Sequence, residues 1–148
     1  MHSLNHEFSQ GNSKQIRQYR IELPFPVSNN NLWLRGRRIA GRWPLTKAYR
    51  DWIDEANGMW LQQKLSVRPV TLGTYRSHMV FSSARRRANQ DGENLIKCVS
   101  DYLQRIEIIE NDCLAVAGSW EWGNVDGCVV EVEGECSTGV KSVRYFGF

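Results

Sequence analysis

A stripe of apolar side chains between positions 49 and 61 narrows the possible folds more than any other part of the sequence. The spacing follows the helical period: Tyr49, Trp52, Ile53, Ala56, Trp60 and Leu61. It predicts a helix with one buried face, and two tryptophans on that face are typical of a packed core rather than a cofactor site. Thr46 stands just before the stripe, where a hydroxyl side chain can cap the first turn of the helix.

A second helical stripe and several strand patterns complete the predicted fold. The second stripe consists of Leu95, Ile96, Val99, Tyr102, Leu103 and Ile106, with Asp91 as its expected N-cap. Alternation over 19–23 predicts a half-buried strand, which two prolines then end, and the β-branched and aromatic run over 70–81 predicts another. Residues 114–122 and 128–133 predict a hairpin closed by Asp126-Gly127. We therefore expect a mixed α/β (α+β) fold, with one mixed sheet and two main helices.

Length and composition favour one globular domain with polar ends. The chain has 148 residues, of which 41% are hydrophobic and 24% charged, as is ordinary for a single folded domain. We expect residues 1–14 to be a disordered N-terminal tail, 15–134 to form the domain and 135–148 to be a C-terminal tail. The sequence shows neither a secretory signal nor an apolar run of bilayer length, so the expectation is a cytoplasmic protein without membrane partners.

The four cysteines do not predict a zinc site. Cys98, Cys113, Cys128 and Cys136 form no C-x-x-C pair, and the three histidines lie far from them in the sequence. Reduced thiols that are mostly buried are the better interpretation.

Basic residues are clustered although the net charge is only +3. One cluster consists of Arg35, Arg37, Arg38 and Arg42, and the other of Arg85, Arg86 and Arg87. Such clusters are typical of proteins that bind a phosphate backbone, but solvated arginine faces explain them equally well. Three successive asparagines at 29–31 predict a turn, and Asn29 and Asn30 also offer hydrogen bonds to a nucleic-acid backbone.

Acidic residues suggest a metal site next to the second basic cluster. Asp91 and Glu93 stand at the predicted start of the second helix, and Asp112 follows that helix. If the three carboxylates converge, a hard cation such as Mg²⁺ would relieve their repulsion. Lys97 shares a helix face with Glu93, so it either forms an i,i+4 ion pair or supplies a cation at a reacting phosphate. Helix caps and solvated turns are the simpler interpretation of the acids.

Several motifs in order resemble the RusA family of Holliday junction resolvases, which are small and largely prophage-encoded endonucleases. The motifs are Ile21-Glu-Leu-Pro-Phe-Pro-Val-Ser-Asn-Asn30, Ala48-Tyr-Arg50, Asp91-x-Glu-Asn-x-x-Lys97-x-x-x-Asp101-x-Leu103 and Asn111-Asp112. The resemblance extends from about Arg17 to Glu133. It implies a homodimer that binds four-way DNA junctions and makes paired symmetric nicks with Mg²⁺ or Mn²⁺.

The resemblance also implies roles for single residues. Asp91, Glu93 and Asp112 match the metal-binding acids of the family, and Lys97 matches its catalytic lysine. The family motif normally has aspartate where Glu93 stands, and the extra methylene moves the carboxylate by about 1.5 Å, roughly one bond length. Asn111 likewise replaces the first residue of an Asp-Asp pair.

Two further functions are compatible with the sequence. The first is a protein of the same fold that binds branched DNA but has lost cleavage through the change to Glu93. The second is a structural or interaction domain without any role on DNA, for which DNA binding would be absent or insensitive to salt.

Overall fold

The computed structural model describes residues 15–36, 38–63 and 69–137, which contain four strands and two α-helices. In chain order the elements are β1 (Ile16–Leu23), α1 (Lys47–Gln62), β2 (Leu72–Ser82), α2 (Glu93–Arg105), β3 (Ala115–Gly123) and β4 (Cys128–Cys136). Single 3₁₀ turns occupy Asn29–Asn31, Ser83–Arg85 and Asp112–Leu114. A mixed α+β domain with two main helices is therefore confirmed.

The four strands form one mixed sheet in the order β1-β4-β2-β3. β4 is antiparallel to both β1 and β2, whereas β3 is parallel to β2. A parallel neighbour requires a crossover connection, and α2 supplies it between β2 and β3. Because α2 is this crossover, its beginning lies beside β3, the strand that follows Asp112.

One face of the sheet contacts the helices and forms the core. Paired residues point to the same side of a sheet, so the row Ile21–Val130–Met79–Trp120 and the row Leu23–Cys128–Phe81–Trp122 both face inward. Against them pack Tyr49, Trp52, Ile53 and Ala56 of α1 and Leu95, Cys98, Val99, Tyr102 and Leu103 of α2. Leu61, which belongs to the predicted stripe of α1, is 83% exposed, so the buried face ends before the last turn.

Both helices begin close to where the sequence predicts. The hydroxyl oxygen of Thr46 accepts a hydrogen bond from the Tyr49 N–H at 3.1 Å, as expected of an N-cap. For α2 the residue at the N-cap position is Gly92, but the carboxylate of Asp91 still accepts a hydrogen bond from the Glu93 N–H at 3.0 Å. Asp91 therefore caps the helix from one position further upstream.

The predicted hairpin between residues 114–122 and 128–133 is wrong. Both strands exist, but β2 lies between them and pairs with each. A connection that skips one strand must span about 10 Å, twice the spacing of neighbouring strands, and the four residues 124–127 are long enough to do so. The carbonyl of Gly127 accepts a hydrogen bond from the Ser82 N–H at 2.9 Å, which ties this connection to the end of β2.

The basic segment after the asparagines forms a short hairpin arm. Ile39 and Arg42 exchange two backbone hydrogen bonds of 2.9 and 3.0 Å around Ala40 and Gly41, both of which have positive φ. That pair of angles is typical of a type I′ turn, where glycine is favoured. Nearer the base of the arm Trp33 pairs with Leu45, which fixes the arm against the start of α1.

The remaining predictions concern the ends, the cysteines and membranes. β4 extends to Cys136, and both 1–14 and 138–148 lie outside the described residues. All four cysteines are free; Cys98 and Cys128 are buried and Cys113 is exposed. None of the described helices is both long and apolar enough to cross a membrane.

Candidate functional site

Lys97 connects α2 to the turn that precedes β3. Its ammonium donates hydrogen bonds to Asp101 Oδ1 at 2.7 Å and to Asp112 Oδ2 at 2.9 Å. Among the described residues Lys97 thus pairs with Asp101 and Asp112, and not with Glu93 one helical turn before it. This contact brings Asp112 from a distant part of the chain to the helix that begins with Glu93.

Three further contacts fix the position of Asp112. Its N–H donates to the side-chain oxygen of Gln104 at 3.2 Å, and its carbonyl accepts a hydrogen bond from the Tyr75 hydroxyl at 3.2 Å. Asn111 is buried, and its side-chain oxygen accepts from the Cys113 N–H at 3.0 Å. Asn111 therefore caps the turn in which Asp112 lies. The carboxylate of Asp112 itself remains about one-third exposed, at 32%.

The charge of Lys97 follows from its two carboxylate partners. Partial burial lowers the pKa of Lys97, but the hydrogen bonds to Asp101 and Asp112 outweigh that effect and raise the pKa above its usual value. Lys97 is consequently protonated at neutral pH and supplies a positive charge rather than a base. Burial, with a further contribution from the charge of Asp112, raises the pKa of Tyr75 to about 12, so its hydroxyl remains a donor.

The start of α2 is fixed by an aromatic ring on β3. A Cβ atom on Gly92 would lie within 3.0 Å of three atoms of the Trp120 indole, so the ring covers this glycine directly. Trp120 is in turn packed against Phe81 and Trp122, with ring centroids 6.3 and 6.1 Å away. Because Gly92 separates Asp91 from Glu93, this packing sets where both carboxylates emerge.

The predicted metal ligands are oxygen donors, but they are not grouped as a ready-made three-ligand site. Within residues 15–36, 38–63 and 69–137, no three His, Cys, Asp or Glu side chains are arranged to hold a metal ion. Asp91 and Glu93 lie at the start of α2, while Asp112 is bound to Lys97 one turn further along. Mg²⁺ usually takes only one or two carboxylates and completes its shell with water and phosphate. The chemistry of the donors therefore suits Mg²⁺, with Asp91 and Glu93 as its closest pair in sequence.

Two arginines of the second basic cluster lie on aromatic rings near the acids. The guanidinium of Arg85 lies 5.4 Å from the ring centre of Phe25, and that of Arg86 lies 5.0 Å from Trp122. The two rings stack on each other at 6.4 Å. Such cation–π contacts orient the guanidinium groups while Arg85, Arg86 and Arg87 stay exposed. The cluster occupies the chain between β2 and Asp91, so its charge lies beside the start of α2.

The other predicted DNA contacts that the structure describes are exposed as well. Asn29 and Asn30 lie in an exposed 3₁₀ turn that contacts α2. Arg35 is exposed, and the Arg38 guanidinium lies 5.0 Å from the ring centre of Trp43. Arg37 lies outside the described residues.

Sequence reasoning gave no catalytic or metal-binding role to two residues that position the site. Asp101 and Gln104 hold Lys97 and Asp112; Asp101 is a position of the resembling motif, whereas Gln104 belongs to none of the motifs. The i,i+4 spacing of Lys97 and Asp101 is a signal for their ion pair, but nothing local predicts the hydrogen bond that the Asp112 N–H donates to Gln104. These two side chains lie on the same helix as Lys97, so α2 organises the whole cluster.

Comparison of the chain with protein-family models and with curated proteins gives no match. The resemblance to the resolvase family therefore depends on the motifs quoted above.

Proposed function

We propose that the protein is a metal-dependent endonuclease with a RusA-like fold that acts as a homodimer and resolves four-way DNA junctions. The observation that supports this most directly is the contact of Lys97 with Asp112. The motif resemblance assigns these two residues to one catalytic centre, and they are hydrogen-bonded at 2.9 Å despite their separation in sequence. A purely local role in capping or solvation would not require that contact.

The arrangement suits hydrolysis of a phosphodiester. Negative charge grows on the phosphate oxygens and on the leaving oxygen during such a reaction, and a fixed cation stabilises it. Lys97, held by two carboxylates and 44% exposed, is such a cation. Asp91 and Glu93, with Asp112, would hold Mg²⁺, which supplies an activated water and neutralises phosphate charge when bound. Tyr75 and Gln104 keep Asp112 in place while this occurs.

Cleavage of a synthetic four-way junction tests the proposal. We expect the protein with Mg²⁺ or Mn²⁺ to make paired nicks at symmetric positions in opposite strands, and Asp91→Asn to abolish them. Asp54→Asn is the matched control, because Asp54 is an exposed acid on α1 and should leave cleavage intact. Absence of nicks with either metal would contradict the proposal.

Binding of the DNA backbone is tested separately. Alanine at Arg85 and Arg86 should weaken junction binding and reduce the dependence of affinity on salt, because fewer counterions are released. Arg76→Ala is the control, since Arg76 pairs in register with Glu133 on the opposite face of the sheet. An unchanged salt slope in the Arg85 and Arg86 variants would rule out these backbone contacts.

A second function has one observation in its favour. Glu93 stands where the resembling family has aspartate. A junction-binding protein without cleavage would bind four-way DNA tightly and leave it intact. In that case Glu93→Asp should restore nicking, which separates this function from the first.

A further inference from the structure

A cleft opens beside Lys97, on the side of α2 that faces the base of the hairpin arm. Its volume is about 490 Å³, and it is lined by Trp33, Tyr49, Lys97, Asp101, Gln104 and Arg105. Clefts that bind small organic groups have volumes of about 300–1,000 Å³, so this one has the size for a bound group. Lys97 belongs both to this cleft and to the carboxylate cluster, so the two are continuous.

One wall of the cleft is a tryptophan with a fixed backbone and a partly free ring. Trp33 pairs with Leu45, and the neighbouring Leu34 N–H donates to the Pro44 carbonyl at 2.8 Å. Its indole meets the buried ring of Tyr49 edge-on, with centroids 6.0 Å apart and planes at 81°. Trp33 is nonetheless 37% exposed, whereas the core residue Trp52 is 4% exposed. An aromatic ring that is fixed but partly open to solvent is a stacking surface.

The opposite wall is polar and contains two cationic groups. Lys97, Asp101, Gln104 and Arg105 lie one to two turns apart on α2 and present an ammonium, a carboxylate, an amide and a guanidinium. Arg105 forms no ion pair with any residue that the structure describes, and it lies in the last turn of the helix. Its charge is available to an anionic ligand.

We infer that this cleft binds an unpaired nucleobase of the DNA strand whose phosphate lies at Lys97, with the base stacked on Trp33. The inference rests on the proposed function and adds a base-binding subsite to it. An aromatic surface beside cationic groups is the combination that binds single-stranded nucleic acid, since every base has a face for stacking and every nucleotide a negative charge. Asp101 and Gln104 supply hydrogen-bond acceptors and donors for the edge of the base.

The experiment compares two neighbouring exposed residues of the same arm. Trp33→Ala removes the proposed stacking surface, and Leu34→Ala is the matched control, because Leu34 is 52% exposed but does not line the cleft. A four-way junction with 2-aminopurine at the crossover is titrated in EDTA, so that binding is measured without cleavage. We expect Trp33→Ala to weaken binding roughly ten- to hundredfold and to remove the quenching of 2-aminopurine, and Leu34→Ala to do neither.

A second variant and a second ligand make every outcome decisive. Arg105→Gln changes an exposed residue on the rim of the cleft and should weaken binding several-fold without affecting folding. A single-stranded tetranucleotide tests the cleft even if the protein binds no junctions: quenching of tryptophan fluorescence that Trp33→Ala abolishes would support the subsite alone. If junctions bind but neither Trp33→Ala nor Arg105→Gln weakens them, the subsite is refuted while the proposed function stands. If the wild-type protein binds neither ligand, both are refuted.

Discussion

Replacing Gly92 with alanine tests how the start of α2 is fixed. The φ and ψ angles of Gly92 are −63° and −27°, which alanine adopts without strain, so in the folded protein the substitution acts only through the contacts of its new methyl group. That group would lie within 3.0 Å of three atoms of the Trp120 indole. Trp120 has little room to retreat, because Phe81 and Trp122 contact it on the side of the core.

The expected loss of stability follows from these contacts. Overpacking by one methyl group costs about 1–3 kcal/mol when neighbours must shift. Replacing glycine with alanine at a helical position recovers about 0.4–1 kcal/mol, because the unfolded chain loses freedom. We therefore expect Gly92→Ala to lower the free energy of unfolding by about 1–2 kcal/mol, which corresponds to a fall in Tm of roughly 3–8 °C.

Gly58 provides the matched control for this measurement. It lies in α1, and a methyl group added there would extend into open space, with no neighbouring side chain within 4 Å. Gly58→Ala should therefore raise the free energy of unfolding by about 0.5–1 kcal/mol. Urea unfolding followed by circular dichroism measures both variants. Because Gly92 separates Asp91 from Glu93, its variant should also cleave junctions more slowly, whereas Gly58→Ala should not.

If Gly92→Ala and Gly58→Ala raised the free energy of unfolding equally, the proposed overpacking at Gly92 would be refuted. That result would mean that Trp120 does not cover Gly92 in solution, and the direction in which Asp91 and Glu93 emerge from the helix would lose its explanation. If Gly92→Ala destabilised the protein but left cleavage intact, the packing of Trp120 on Gly92 would be supported. Its role in positioning the proposed site would be refuted.

Three further results are expected. Lys97→Met should abolish junction cleavage. It should lower the free energy of unfolding by only about 1 kcal/mol, because the ion pairs of Lys97 are partly exposed. Lys47→Met is the control: it breaks an exposed ion pair on α1 and should leave cleavage intact. Burial raises the pKa of both Cys98 and Tyr102 to about 12, so the contribution of these two groups to stability should not depend on pH below about 8. Stability in urea should then fall as pH rises from about 9 toward 12, because the unfolded chain releases these protons first. Thr46→Ala should lower the free energy of unfolding by about 1 kcal/mol through loss of the N-cap of α1, measured by urea unfolding.

Local patterns predicted the elements of this fold but not all of their partners. The helical stripes located α1 and α2 because one face of each helix must be buried, and alternation located β1 for the corresponding reason. The prediction of a hairpin between β3 and β4 was wrong because the Asp126-Gly127 turn signal indicates only that the chain turns there. It does not indicate which strands pair. Which strand fills the space between two others is decided by core packing over the whole sheet, and here β2 takes that place.

The same distinction holds for the candidate site. Asp91, Glu93 and Lys97 were identified from one stretch of sequence, and helix geometry is enough to bring them close. The contact of Lys97 with Asp112 and the bonds from Gln104 and Tyr75 depend on how the chain returns from α2 to β3. Sequence spacing does not determine that return, so the acidic pattern linked Asp112 to the other acids only on the condition that they converge, and the motif resemblance supplied the rest.

The two sides of the domain differ in charge, and that difference bears on how DNA could approach. The face of the sheet opposite the core contains the rows Arg20–Glu131–His78 and Gln18–Glu133–Arg76, together with Glu22 and Glu121. Acids outnumber arginines there, so this face would repel a polyanion. The exposed arginines at Arg85, Arg86 and Arg105 instead lie just before α2 and at its end. A duplex that binds these arginines would lie along α2, next to Lys97 and the cleft at Trp33. In a homodimer that binds one junction, both α2 helices would therefore have to face the DNA.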